Sequence, residues 1–415
     1  MSNTILTPTQ ITREALRILH QKMNLVGSMS RQYDERFATK GAKIGTSLDV
    51  RLPPRYTVRT GSTFTTQDVV ERKVALPCAT VKGIDTTITD IEMSLSLDKF
   101  RATIIEPAMA QLAAQIEYDA LTGLYKSVAN YVGTASAQLT YKTFQQAGQV
   151  MTENLAPMDD SRVFGLNPAS RVEFSDAVKG LFQSSDNIDA QYKEGKVGKT
   201  GGFKVYENTL LPTHTPGAHG GTPLVNGASQ GTDGTGNVWA ATTSLATDGW
   251  TNSTTGIVKA GDIITIAGVY AVHPETKQST GVLKRFVVTA DANSGASTGP
   301  ATIIVSPAII HTAGAYQNVN SVPANDVAIV VLGTASTAYG QNLAFHKDAF
   351  ALVTADLDVP NGMDMAARER FEDVSMRFLR WFDGDAGTWK SRFDICYGYA
   401  ALYPELAVRV VHQLA

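Results

Sequence analysis

The run EPAMAQLAAQIEYDALTGLYKSV, from Glu106 to Val128, carries the clearest periodicity in the chain. Met109, Leu112, Ile116, Ala120 and Leu124 step by three or four residues, and Pro107 stands at the start, where a missing N–H costs nothing. The spacing predicts one long helix. An ordinary core is enough to explain its apolar stripe. Glu106, Glu117 and Asp119 are expected to give it an acidic exposed side, able to receive basic residues from another chain.

On the N-terminal side the period changes. Thr7 and Gln10 fit a capping box with Pro8 at the first helical position, and Ile11, Ala15, Ile18 and Leu19 recur at helical spacing, which predicts a short amphipathic helix to about Val26. It either packs on its own domain or forms an arm that docks on neighbours. From Gly45 the pattern alternates: Leu48, Val50 and Leu52 share a face before Pro53-Pro54, Tyr56 and Val58 follow, and Thr60-Gly61-Ser62 makes a turn. Val69 to Leu76 returns. Two long strands joined by a glycine turn predict a hairpin arm, with Arg51, Arg55 and Arg59 on the outgoing limb and Asp68 and Glu71 on the return. A lone hairpin is marginal in water, so such an arm needs a surface to lie against.

Downstream, a helix around Phe144 to Glu153, a strand ending in the Asn167-Pro168 turn, and a helix from about Arg171 to Phe182 predict an α/β layer, which a strand from Phe203 to Leu211 continues. From Thr213 to Gly256 the chain turns rich in Gly, Thr, Ser and Ala and reads as a linker or long surface loop. Strands at Ile263–Val269, Val282–Thr289, Ala301–Ser306 and Val327–Leu332 follow, spaced as in a small barrel or sandwich inserted into a parent fold. At the end, Val374 to Phe382, a loop at Asp383–Gly387, Trp389 to Tyr399 and Leu406 to Val411 predict a closing, aromatic-rich sheet.

Composition bounds the function. At 415 residues the chain exceeds one ordinary core, so two or three structural units are expected. Charged residues make up 18%, below the roughly 25% of average soluble domains, and 35 glycines favour β structure and loops. A net charge of −3 argues against strong attraction to nucleic acid. The two cysteines, Cys78 and Cys396, form no disulfide framework and fit a reducing cytoplasm. No basic-then-apolar leader and no apolar stretch of about 18 residues is present, so a soluble, non-exported chain is expected.

No motif for chemistry survives inspection. Gly195 to Thr200 ends like a phosphate-binding loop, but Lys193 stands where the first glycine is needed, and Gly201-Gly202 opens a strand rather than a helix. His214 and His219 sit in a polar stretch with no nearby carboxylate to complete a metal site, and read as a flexible loop. Asp383, Asp385 and Gly387 lack the other ligands of a calcium loop and read as a turn. No catalytic residue, cofactor or metal is expected, and the chain reads as a structural protein and not an enzyme.

The run Asn252 to Val269 (NSTTGIVKAGDIITIAGV) resembles the start of the insertion domain in coat proteins of Salmonella-type short-tailed phages. Tyr316-Gln317-Asn318-Val319-Asn320 and Asn342 to Ala349 look like the segments that leave that domain, and Phe164 to Pro168 with Phe203 to Pro212 are similar to the axial domain of the same family. The N-terminal third matches by pattern more than by residue. This resemblance implies an α+β, Hong Kong 97-type capsid fold: an N-terminal arm (1–36), an extended hairpin loop (37–80), a peripheral domain with a spine helix (81–141 and 363–415), an axial domain (142–235 and 336–362) and an inserted β-barrel (236–335). It implies a major capsid protein that assembles with itself into pentamers and hexamers around double-stranded DNA, touched weakly and non-specifically. Its partners would be a scaffolding protein and a portal protein, with no membrane, and assembly would take place in the bacterial cytoplasm. Some members of the fold cross-link a hairpin Lys to a neighbour's Asn, but nothing around Lys73 assigns that reaction here. The alternative is a β-rich phage tail or receptor-binding protein, which the central Gly/Thr-rich region alone would permit.

Overall fold

The computed structural model describes residues 7–33, 47–64, 66–87, 101–178, 199–231, 239–384 and 388–413. In chain order its elements begin with helix α1 (Pro8–Lys22) and strands β1 (Ser30–Tyr33), β2 (Ser47–Leu52), β3 (Arg72–Pro77) and β4 (Thr80–Thr87). Helix α2 (Glu106–Leu124), strand β5 (Tyr131–Gly133), helix α3 (Tyr141–Glu153), strand β6 (Arg162–Leu166) and helix α4 (Pro168–Val178) follow. Then come strands β7 (Lys199–Thr200), β8 (Phe203–Glu207), β9 (Thr213–His214), β10 (Gly221–Val225), β11 (Thr243–Trp250), β12 (Ile263–Val272), β13 (Ser279–Val288), β14 (Ala301–Ser306) and β15 (Ile329–Val331). The chain closes with β16 (Tyr339–His346), β17 (Phe350–Ala355), β18 (Met365–Phe371), β19 (Val374–Asp383), β20 (Thr388–Ala401) and β21 (Ala407–His412). Two compact units result: residues 1–50, 74–121 and 350–402, and residues 51–73, 122–349 and 403–415.

The first unit is built on a sheet ordered β1-β17-β20-β19-β18, with β4 also paired to β20. Alternation in β19 turns Val374, Met376 and Phe378 inward, and Phe378 stacks on Phe393 of β20 at 4.8 Å. Helix α1 forms where expected: Thr7 accepts from the Gln10 N–H and Gln10 accepts from the Thr7 N–H, each at 3.3 Å. It packs on its own unit, burying Ile11, Ala15, Leu16 and Leu19 against β18 and β19, and Arg13 bonds Glu369 at 2.9 Å. The long helix α2 ends at Leu124 in a 3-10 turn, Tyr125–Ser127.

The second unit holds two sheets. One runs β5-β21-β16-β6-β8-β7, with β9 on β16. Phe144 of α3 is wholly buried between Phe164, Phe174 and Phe203, with ring centroids 4.6, 4.7 and 5.4 Å away. The other runs β10-β11-β14-β13-β12-β15 and is closed by a bridge between Leu224 and Ala328, with the Val225 N–H donating to Val327 at 3.0 Å. Closure makes a six-stranded barrel around Leu245, Trp250, Ile264, Phe286, Ile303 and Val305.

The α+β class and the inserted barrel are therefore as expected, but two local expectations are corrected. Thr213–Gly256 is no linker: it supplies β9, β10 and β11. Its glycines and threonines obscure an alternation that turns Thr243, Leu245 and Thr247 inward. The hairpin limbs are also shorter than predicted, because regular pairing between β2 and β3 stops at Leu52 and Arg72. Pro53 and Pro54 have no N–H to donate to a ladder. Beyond them the limbs are tied by a side chain, Gln67, which accepts from the Thr57 N–H at 2.9 Å and donates to the Thr57 carbonyl at 2.6 Å.

At the base of the hairpin the chain crosses β20 over a glycine. A Cβ on Gly398 would lie 1.5 Å from the Pro77 carbonyl oxygen and 3.1 Å from Cys78 Cα, so no other residue fits without moving backbone. Gly398→Ala should cost about 3 kcal/mol or more, overpacking against backbone having no soft way to relax. A thermal melt reads this as a fall of several degrees, and an unchanged midpoint would refute the crossing.

Candidate assembly surfaces

The hairpin beyond Leu52 is the most exposed part of the described chain. Tyr56, Val58, Phe64 and Val69 are 62%, 98%, 83% and 60% exposed. Four large apolar side chains on one short segment exceed the single exposed residues that any soluble protein carries. Around them lie the expected charges. Arg51 meets Glu71 at 3.4 Å across the hairpin, Arg55 bonds Glu405 at 3.0 Å, and Arg59 donates to the carbonyl of Gly61 in its own turn. Asp68 is exposed on the return limb.

What anchors this segment is a residue that the sequence reading passed over. Arg72 has a side chain only 8% exposed, lies 3.7 Å from Glu405, and sits over the rings of Trp239 and Tyr403 at 5.4 and 5.8 Å. Two residues earlier, the Val70 carbonyl accepts from the Tyr316 hydroxyl at 2.8 Å, and Val70 packs on a cluster of Ala308, Ile310, Ala315 and Tyr316. The signal was present: Val70, Arg72, Val74 and Leu76 alternate, which puts an arginine on the inward face of a strand. Lys277 adds to the positive charge nearby. Burial, then the charge of Arg55, lowers its pKa to about 8, and it donates to the carbonyls of Ala315 and Gln317.

The acidic face expected on α2 is largely absent. Glu117 is 3% exposed, and its carboxylate accepts from the N–H groups of Leu25 and Val26 at 2.7 and 3.3 Å, capping the turn after α1. Helical spacing alone does not distinguish an outward carboxylate from one that satisfies another segment's backbone. Asp119 is half-buried and bonded by Lys82, by Tyr397 at 2.5 Å and by Gln115 at 3.0 Å. Burial pushes its pKa up, but the hydrogen bonds from Lys82, Tyr397 and Gln115 outweigh it and hold the carboxylate below its ordinary range. Glu106 is half-buried at the helix start.

His214 also departs from its reading as part of a flexible loop. It is 3% exposed, with Nε2 2.6 Å from Asp262 and Nδ1 3.1 Å from the Tyr125 hydroxyl. Asp262, wholly buried, accepts as well from the N–H groups of Gly217 and Lys259. Arg409, also wholly buried, donates to the Gly261 carbonyl at 2.8 Å and lies over the Tyr125 ring; burial lowers its pKa to about 10. This network pins the first barrel turn to the neighbouring sheet. Asp383, in the stretch that faintly resembled a calcium loop, pairs with Lys390 across the β19–β20 hairpin, and residues 385–387 lie outside the described residues. The same holds for 179–198, which include most of the phosphate-loop-like run; its last residues, Lys199 and Thr200, form β7.

Against known proteins, the family model described as "P22 coat protein - gene protein 5" matches residues 45–411. A protein named "Major capsid protein" from Acyrthosiphon pisum secondary endosymbiont phage 1 is 25% identical over 335 residues, covering 77% of this chain and 76% of its own length. Among solved structures, one from Mycobacterium phage Che8 is 12% identical, covers 91% of this chain and 88% of its own, and superposes with a TM-score of 0.42. The CUS-3 coat protein I-domain is 26% identical over 28% of this chain and 98% of its own, with a TM-score of 0.20.

Two outcomes test these contacts. Because Asp119 has a depressed folded pKa, its stabilisation is complete above the unfolded carboxylate pKa of about 3.9 and is lost as pH falls through the folded value. The melting midpoint of wild type should exceed that of Asp119→Asn by a constant margin from about pH 5 upward, and the margin should close as pH falls below about 4. Arg72→Ala should free the return limb, so limited trypsin digestion should cut after Arg55 and Arg59 several-fold faster, with the melting of the rest little changed.

Proposed function

Since the chain belongs to the P22 coat protein family, we propose that it is the major capsid protein of a phage, a structural rather than catalytic chain that assembles with copies of itself into pentamers and hexamers of an icosahedral shell around double-stranded DNA. The observation that carries the proposal is the exposed apolar hairpin held at its root by Arg72 and Val70. A surface of that kind is built to be covered, and a second copy of the chain is the partner that a shell provides.

The distribution of charges changes the expected docking mode. Hairpin arginines were expected to meet Glu117 and Asp119 of a neighbour's spine helix, yet Glu117 is buried and Asp119 is bonded within its own unit. Arg55 is likewise engaged with Glu405. Exposed ion pairs contribute about 0–1 kcal/mol each, whereas covering a Val, Phe or Tyr side chain contributes about 1.5–3 kcal/mol. Affinity therefore rests on Tyr56, Val58, Phe64 and Val69, while Arg59 and Asp68 set register. Each contact stays weak enough for misplaced subunits to leave.

In this reading the chain divides into arm, hairpin, peripheral, axial and barrel regions, with the barrel taking in β10 and β11 from Gly221 onward. Scaffolding protein during assembly and a portal protein at one vertex are the further partners, and DNA is contacted weakly, as the net charge of −3 favours. The location is the virion capsid, assembled in the host cytoplasm.

Val58→Asp with Phe64→Asp tests the docking mode. Losing two apolar anchors should reduce each contact more than about tenfold, so electron microscopy of protein expressed with its scaffolding protein should show few or no shells. The subunit should melt as wild type does. Normal shell yield would overturn the hairpin's role, and a small discrete oligomer from the wild-type chain would overturn the capsid reading.

A further inference from the structure

The chain has two cysteines, 318 positions apart, and their sulfur atoms lie 3.6 Å from one another. Cys78 sits in the corner between β3 and β4, and Cys396 on β20, opposite Ala355 of β17 and Val81 of β4. They are 6% and 7% exposed. A buried cysteine usually acts as a small hydrophobe. That role would be met by either residue alone, and it does not require the only two thiols of the chain to touch.

We propose that Cys78 and Cys396 are an oxidisable pair, reduced while the subunit is made and closed to a disulfide by a small peroxide once the protein meets an oxidising medium. The step balances: one thiol gives its sulfur to peroxide as a sulfenic acid with release of water, and the second sulfur displaces hydroxyl from it as a second water. In sum, two thiols and one hydrogen peroxide yield one disulfide and two waters. The sulfurs must approach by about 1.5 Å to reach a bond of about 2.05 Å, a distance within reach of side-chain rotation. Their burial favours a small oxidant over a bulky disulfide reagent. The two thiols are also polarised in opposite senses: the hydrogen bond between them raises the pKa of Cys78 and lowers that of Cys396, which makes Cys396 the thiolate that attacks the peroxide and Cys78 the sulfur that then displaces hydroxyl from the sulfenic acid.

The pair lies where a link has most effect. Gly398, two residues beyond Cys396 on the same face of β20, is where Pro77 and Cys78 cross the strand. A disulfide there would tie the root of the hairpin to the centre of the sheet and close a very long loop, which restricts the unfolded chain strongly. The chemistry is read on unassembled subunits as well as on shells, so its failure would leave the capsid reading standing.

Subunits and shells are treated with hydrogen peroxide, then denatured, alkylated and digested with trypsin, which places the cysteines in separate peptides, 74–82 and 393–409. The expected result is loss of alkylation at both thiols, a linked peptide two hydrogens lighter than the sum, a melting midpoint raised by a few degrees, and reversal of all three by reductant. Full alkylation at both positions, or separate sulfinic acids with no linked peptide, would overturn the proposal. Cys396→Ser should give no link and no peroxide-induced rise, and a rise that persists in it would remove the link as the cause. Should that variant not fold, the wild-type peptide map decides alone.

Discussion

The hairpin can be presented only because Pro77 and Cys78 cross β20 in direct contact with Gly398. The crossing fixes the direction in which the chain leaves β3 and enters β4, and the register of β4 on β20 then runs unbroken from Thr80↔Tyr397 to Thr87↔Lys390. Eight paired residues hold β4, into which the return limb runs, and Arg72 and Val70 hold that same limb farther out. The residues between Leu52 and Arg72 make no regular ladder of their own. The tip of the arm leaves Tyr56, Val58 and Phe64 exposed, while its return limb is anchored through Arg72 and Val70.

Electrostatics in this chain serves placement more than attraction. Where charges are buried they satisfy backbone groups, as Glu117 does at the turn after α1 and Asp262 does at the barrel entrance. Charges also form short networks that are buried or half-buried, such as Lys82–Asp119–Tyr397 and Arg377–Asp394, the latter at 2.6 Å. Asp85 shows the same logic at the surface, where two hydrogen bonds from Arg392 hold its carboxylate below the usual range.

Much of the fold was legible because period and turn chemistry agreed. The capping box at Thr7, the stripe from Met109 to Leu124, the Asn167-Pro168 turn and the alternation from Val374 to Phe382 each carried two independent signals, and each element formed. The failures share a cause. Thr213–Gly256 looked like a linker because loops and barrel strands draw on the same small residues, and closure of the barrel is a non-local event that no window of sequence contains. Glu117 looked exposed because periodicity places a residue on a helix face but not what faces it. Arg72 was legible in hindsight, as a charge among apolar neighbours on one strand face, yet its aromatic partners Trp239 and Tyr403 lie far away in the chain.

The barrel's place in this scheme follows from what it touches within its own unit. Its entrance is pinned by the Tyr125–His214–Asp262 chain and by Arg409, all four buried, and the Trp239 and Tyr316 segments around it receive Arg72 and Val70. Removing one member of a buried polar chain leaves its partners unsatisfied, which is more costly than never having made the contact. Such a network transmits position: a barrel that is folded and closed holds Trp239 and Tyr316 in place, and these in turn hold the hairpin's return limb. An insertion far from the hairpin in sequence thus becomes part of what orients it.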